Sequence, residues 1–207
     1  MTLRRVCPIL KGMARLLLFL TLLLLPGLAA AQDASPDGPP VASNDIKSFS
    51  EDQLFARLAA VDGPSPQAKR LEAEILRRFH HSGSETADLL FARALEAMSA
   101  QEHALCLDLL DEVILLRPDF AEAWNKRATV YFLQRDYGNS LADIRKTLAL
   151  EPRHFGALAG LGMILETLGR DEEALRALQR ALDLNPQLES VRESVDSLEK
   201  KLSGRAI

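Results

Sequence analysis

Three prolines, Pro118, Pro152 and Pro186, stand 34 residues apart, and each closes a leucine-rich stretch: Leu115-Leu116-Arg117-Pro118, Ala149-Leu150-Glu151-Pro152 and Asp183-Leu184-Asn185-Pro186. Proline has no N–H to donate and disfavours helical backbone in the residue before it, so each marks a helix end. A helix stop at one fixed period means that the chain repeats a structural unit, which must bury its apolar face against its neighbours. With units starting at 87, 121 and 155, six further columns agree: Leu90/Trp124/Leu158, Ala94/Ala128/Gly162, Ala97/Tyr131/Leu165, Cys106/Ser140/Ala174, Leu110/Ile144/Leu178 and Val113/Thr147/Ala181. Small residues fall where two helices must approach closely, and large apolar ones fill the space between them. Leu and Ala dominate the apolar residues while aromatics make up only 5% of the chain. Side chains of this kind, not branched at Cβ, lose little freedom in a helix, so an all-helical fold is expected.

These columns resemble the tetratricopeptide repeat, over residues 87–188, half of the chain. The resemblance implies an all-α, right-handed α-solenoid of three helix hairpins at 87–120, 121–154 and 155–188, with helical caps at both ends. In the second repeat, Asp119 and Glu122 have capping-box spacing for a helix A running to Leu133, followed by a helix B from Asn139 to Leu150. Gly169 suits the left-handed residue that ends helix A of the third. The segment 189–203 predicts a C-terminal capping helix whose outer side carries Arg192, Glu193, Glu199, Lys200 and Lys201. Upstream, residues 49–86 predict a degenerate hairpin. One helix starts at Ser50-Glu51-Asp52-Gln53 and runs through Val61, Asp62-Gly63-Pro64 turns, and a second helix opens at Pro66 and runs from Gln67 to His80. That hairpin is expected to stack as a zeroth repeat.

The N-terminus reads as an address. Residues 1–31 carry Arg4, Arg5, Lys11 and Arg15 and no acidic residue. The apolar run Leu16 to Leu25 is followed by Pro26-Gly27 and then Ala29-Ala30-Ala31-Gln32, with small residues at A-x-A spacing. This is the pattern of a secretory signal peptide cleaved after Ala31. The run falls short of the ~20 residues that cross a bilayer, which argues against a retained anchor and leaves membrane contact transient. Met13 offers a second start that yields a more compact leader. No cysteine sits at the cut, so a lipoprotein anchor is not supported. Residues 32–48, rich in Asp, Ser and Pro, predict a disordered tether. The mature chain is therefore expected in the periplasm or outside the cell. Losing four cations takes the net charge from −4 to −8, which disfavours a nucleic-acid partner. It also removes Cys7 and leaves Cys106 without an internal disulfide partner.

No catalytic, metal or cofactor motif emerges. His80 and His81 are adjacent and point about 100° apart on a helix, so they read as a solvated helix end. His103 and His154 fall in inter-helix turns. Gly160-Leu161-Gly162 lies inside a helix and forms no phosphate loop, no motif frames a nucleophilic serine, and Cys106 reads as a small buried hydrophobe. One column holds Arg93, Arg127 and Leu161. For Arg127 two readings stay open, pairing with Asp108 or Asp143 between helices, or reaching out to water.

The resemblance implies that helix A lines a concave groove, at Asp88, Phe91, Leu95 and Met98, then Glu122, Asn125, Thr129, Phe132 and Leu133, then Gly156, Ala159, Met163 and Glu166. The candidate partner-binding residues are Phe91, Leu95, Glu122, Asn125, Thr129, Phe132, Met163 and Glu166. Trp124, Ala128, Tyr131, Pro152, Gly162, Ala174 and Pro186 are structural. A mixed, mostly apolar face of this kind suits a protein or peptide with apolar anchors. No small-molecule substrate is evident. The expected function is a non-enzymatic interaction scaffold of the cell envelope. The alternative is an accessory factor in envelope or c-type cytochrome assembly, and an enzyme is the least favoured reading.

Overall fold

The computed structural model describes residues 46–205; the expected signal segment, 1–31, and residues 32–45 of the expected tether lie outside the described residues. The end of that tether belongs to the fold instead. Ile46 is buried, and its carbonyl accepts the Phe49 N–H at 3.3 Å, because its side chain packs into the same apolar cluster as Leu54 and Leu71.

Among the described residues there are nine helices and no strand: α1 (Glu51–Ala59), α2 (Pro66–Phe79), α3 (Glu85–Ser99), α4 (His103–Leu116), α5 (Ala121–Leu133), α6 (Tyr137–Leu150), α7 (Phe155–Thr167), α8 (Asp171–Leu184) and α9 (Glu189–Arg205). The second helices of the three hairpins start at 103, 137 and 171, and α5, α7 and α9 start at 121, 155 and 189, all at the 34-residue step of the prolines. Hairpins α3–α4, α5–α6 and α7–α8 stack in order, and α9 closes the stack on α8. The small columns lie inside it. Ala94, Cys106, Ala128, Ser140 and Ala174 are buried, and a Cβ on Gly162 would collide with Leu178. Glycine is needed there because Leu178 fills the space that an alanine methyl would take.

The helix ends show where local chemistry decides. Ser50 and Gln53 form a reciprocal capping box at α1, and Ser65 caps α2 ahead of Pro66. No such box opens α5: Asp119 turns back to Arg117 at 3.1 Å, Phe120 stands at the cap, and Glu122 is drawn inward. Helix α6 starts at Tyr137, two residues earlier than expected, because Asp136 caps it through the Asn139 N–H. All three first helices end in the same left-handed turn, at Gln101 (φ 60°), Arg135 (φ 61°) and Gly169 (φ 73°). In each, the next N–H reaches back five residues, Glu102 to Ala97, Asp136 to Tyr131 and Arg170 to Leu165, at 2.8–2.9 Å. Only the third copy has the residue without a Cβ. Arg135→Gly should therefore stabilise the protein by about 0.5–1 kcal/mol, the relieved strain outweighing the extra freedom of the unfolded chain. A thermal melt that moved down would show that the turn carries no strain.

The N-terminal hairpin forms but does not stack as a zeroth repeat. Its apolar residues Leu54, Phe55, Leu58, Leu71 and Ile75 mostly satisfy one another, and α1 packs on α2 and on α8 rather than extending the array at α3. The aromatic remainder leans on Phe155, Leu184 and Leu188 in the third repeat. Polar ties fix this seat. Arg153 holds Glu51 and Asp52, each at 2.6 Å, and stacks over Phe55; the Asn185 amide donates to Glu72 at 2.8 Å; and Gln187 donates to the Val61 carbonyl at 3.2 Å. The hairpin thus lies along the edge where the first helices begin. At the other end, α9 runs three residues past Leu202, burying Val191, Val195 and Leu198 and exposing Arg192, Glu193 and Glu199.

Candidate functional site

The inner wall divides into a closed part under the hairpin and an open part below it. In the closed part the last residues of α2 reach the starts of α3, α5 and α7. His80 stands edge-on to Phe91 at 5.7 Å, and Phe91 meets Phe120 at 5.0 Å, so Phe91 is buried. Phe79 stacks on the His154 ring at 4.7 Å. His81 pairs with Asp88 at 2.6 Å. His80 and His81 are exposed, as a solvated helix end requires, and their two directions also serve two different carboxylates, Glu122 and Asp88.

Beneath them lies a buried polar cluster that the sequence did not announce. His154 caps α7, its Nδ1 accepting the Ala157 N–H at 3.0 Å. A nitrogen that accepts carries no proton, so the ring is the neutral Nε2–H form, and Nε2 donates to Glu122 Oε2 at 2.6 Å. Glu122 also receives Lys126 Nζ at 2.9 Å, the Asn125 amide at 3.2 Å and His80 at 3.4 Å. Burial alone would raise the Glu122 pKa, but the hydrogen bonds from His154 and His80 and the charge of Lys126 outweigh it and hold the carboxyl well below its ordinary range. Glu74, in α2, is lowered from 4.5 to about 2, chiefly by the Arg77 hydrogen bond and also by Arg78, against its burial.

Both acids bind a proton less readily folded than unfolded. The stability they supply is complete above the unfolded carboxyl range and drains away as pH falls below about 4.5. The melting temperature should stay level from neutrality to that point and then drop. Glu74→Gln should make the acid limb shallower, and an identical limb in that variant would refute the assignment.

The open part is a pocket between α5 and α7 with a volume of about 290 Å³. It is lined by Phe132, Leu133, Met163 and Ile144 with Asn125 and Thr129 at one side, while Gly156 and Gly160 leave the α7 wall low. Met163 and Leu133 are about half exposed. Four of the eight candidate binding residues, Asn125, Thr129, Phe132 and Met163, therefore line this pocket. The other four do not. Phe91 and Glu122 are covered by the chain's own hairpin, Leu95 packs on the core of the first repeat, and Glu166 stands outside the lining.

Arg127 resolves in favour of pairing. It grips Asp143 through two hydrogen bonds of 2.7 and 2.8 Å, and it holds Asp111 of the preceding repeat at 2.7 Å, not Asp108. Asp111 lies three residues on from Asp108, about one helical turn nearer the interface. The Arg127 guanidinium also lies over the Trp124 ring at 4.8 Å. Among the described residues no group of three His, Cys, Asp or Glu side chains is arranged to hold a metal.

Stacked hairpins with an open inner wall define an α-solenoid. The tetratricopeptide-repeat family model matches residues 126–189. A TPR repeat-containing protein of Rhizobium etli is 42% identical over 153 residues, covering 74% of each chain. Tetratricopeptide repeat protein 36 of Bos taurus is 30% identical over 141 residues, 66% of this chain and 73% of that one. The chain belongs to the tetratricopeptide-repeat family, whose members generally work as non-enzymatic protein-interaction scaffolds. Solved structures agree in fold. The first TPR of Spaghetti (RPAP3) bound to an HSP90 peptide has a TM-score of 0.55 at 19% identity, covering 58% of this chain and 95% of that one. MamA has a TM-score of 0.53 at 13% identity, covering 69% and 87%.

Proposed function

We propose that this chain is a binding scaffold of the cell envelope, exported by a signal peptide cut after Ala31, that holds a segment of a partner protein against the α5–α7 pocket. The observation that carries the reading is the pocket itself, an apolar concavity of about 290 Å³ left open beside the part of the wall that the hairpin covers. A space of this size takes one large apolar side chain with part of its backbone. The Thr129 hydroxyl and Asn125 amide at its side offer polar groups to that backbone. Glu122 takes Lys126 and one Asn125 N–H, and among the described residues no cation lines the pocket to meet an acidic peptide tail.

The test compares proteins recovered with the tagged chain from the envelope fraction with those recovered by Phe132→Glu and Met163→Glu. Both changes place a charge in the pocket without touching the buried cluster. A partner retained equally by all three forms refutes the pocket, and an envelope-fraction protein still carrying residues 1–31 refutes the cut after Ala31.

A further inference from the structure

Among the described residues, nothing covers an apolar flank of the first repeat. In the second and third repeats, the corresponding flank is pressed against the repeat before it, and its column at Ala123 and Ala157 is fully buried. The same column in the first repeat holds Leu89, which is 58% exposed. Beside it on α4 lie Leu105, 47% exposed, and Leu109, around a surface hollow that Arg93, Glu96 and Glu102 also line. Four of the seven large apolar residues most exposed in the described chain belong to α3 or α4. The hairpin expected to cover this flank sits elsewhere, against Phe155 and Leu184. Scattered exposed leucines need no explanation, but a cluster on a surface built for stacking does.

Charge indicates what covers it. Arg127 takes one carboxylate from its own repeat, Asp143, and one from the repeat before it, Asp111. Arg93 occupies the same column, but Leu109 replaces the first carboxylate and no repeat precedes it to supply the second. The flank thus offers leucines, a cation and, in Glu96 and Glu102, the anions that such a cation needs. A surface with both halves of its own complement fits itself across a two-fold axis. The far end of the stack does not fit it: α9 exposes Arg192, Glu193, Glu199 and Lys200, and a head-to-tail contact would bury these charges against leucines.

We infer that two copies of this chain pair flank to flank through α3 and α4, with Arg93 of each facing Glu96 or Glu102 of the other. The inference is independent of the pocket reading, because the pocket lies on the inner wall between α5 and α7. Sedimentation equilibrium of the mature full chain should give a dimer. Leu89→Glu and Leu105→Glu should each raise its dissociation constant by about tenfold or more with unchanged helical circular dichroism. Arg93→Glu should weaken pairing, and Arg93→Glu combined with Glu96→Arg and Glu102→Arg should restore it. Phe132→Glu should leave the dimer intact. A monomer at every soluble concentration overturns the inference, as does a growing series of oligomers.

Discussion

His154→Ala should lower the stability of the folded chain by about 3 kcal/mol. Three losses coincide. The N-terminus of α7 loses its cap, which is worth about 1 kcal/mol. Phe79 loses the ring it stacks on at 4.7 Å, worth about 0.5–1.5 kcal/mol. Glu122, 2% exposed, loses its 2.6 Å hydrogen bond and keeps Lys126, Asn125 and His80. A buried carboxylate stripped of a donor carries its desolvation cost uncompensated, about 1–3 kcal/mol. In a domain of this size the melting temperature should fall by roughly 6–12 °C. His154→Asn should recover only the cap, because its amide can accept the Ala157 N–H but stops short of Glu122. If His154→Asn melted like the parent, the Glu122 contact would have no energetic weight.

Arg127→Ala should cost about as much for a different reason. The change leaves Asp143, whose side chain is 6% exposed, without the guanidinium that neutralises it, a loss of about 3–5 kcal/mol for a buried pair. Asp111 adds little to that figure, since it is more than half exposed and rehydrates freely. The double variant Arg127→Met with Asp143→Leu should regain most of the loss, because it removes both charges and keeps the packing over Trp124. A single variant that melted with the parent would mean that the guanidinium had been solvated all along. The distinction is sharp because Arg127 itself is mostly enclosed, between two repeats and a tryptophan ring.

The repeats were legible because their constraint is written many times. Three prolines, two small columns and the alternation of large residues all report the same step. Two things were not legible, and both are long-range. Residues 49–86 show the helical pattern of a hairpin, but that pattern names an apolar face and not what the face meets. The contacts that seat it, Arg153 with Glu51 and Asn185 with Glu72, join residues about a hundred positions apart with no periodic signal. The polar cluster was missed because Glu122 reads as a capping-box partner and a groove residue, and His154 as a turn residue. One trace was present. His154 interrupts a column otherwise held by Phe120 and Leu188, so a ring that can hydrogen-bond stands where its equivalents are apolar. The candidate groove was half legible for the same reason: family spacing places residues on the inner wall but cannot say which of them the chain covers itself.

The seat of the N-terminal hairpin changes how this array comes apart. Independent hairpins in a row touch only their neighbours and can fray from either end, one after another. Here a single brace touches Asp88 and Phe91 in the first unit, Glu122 in the second and Phe155 and Leu184 in the third. Peeling off either terminal unit must break the same brace. The curvature of the inner wall is therefore held along the edge where the first helices begin.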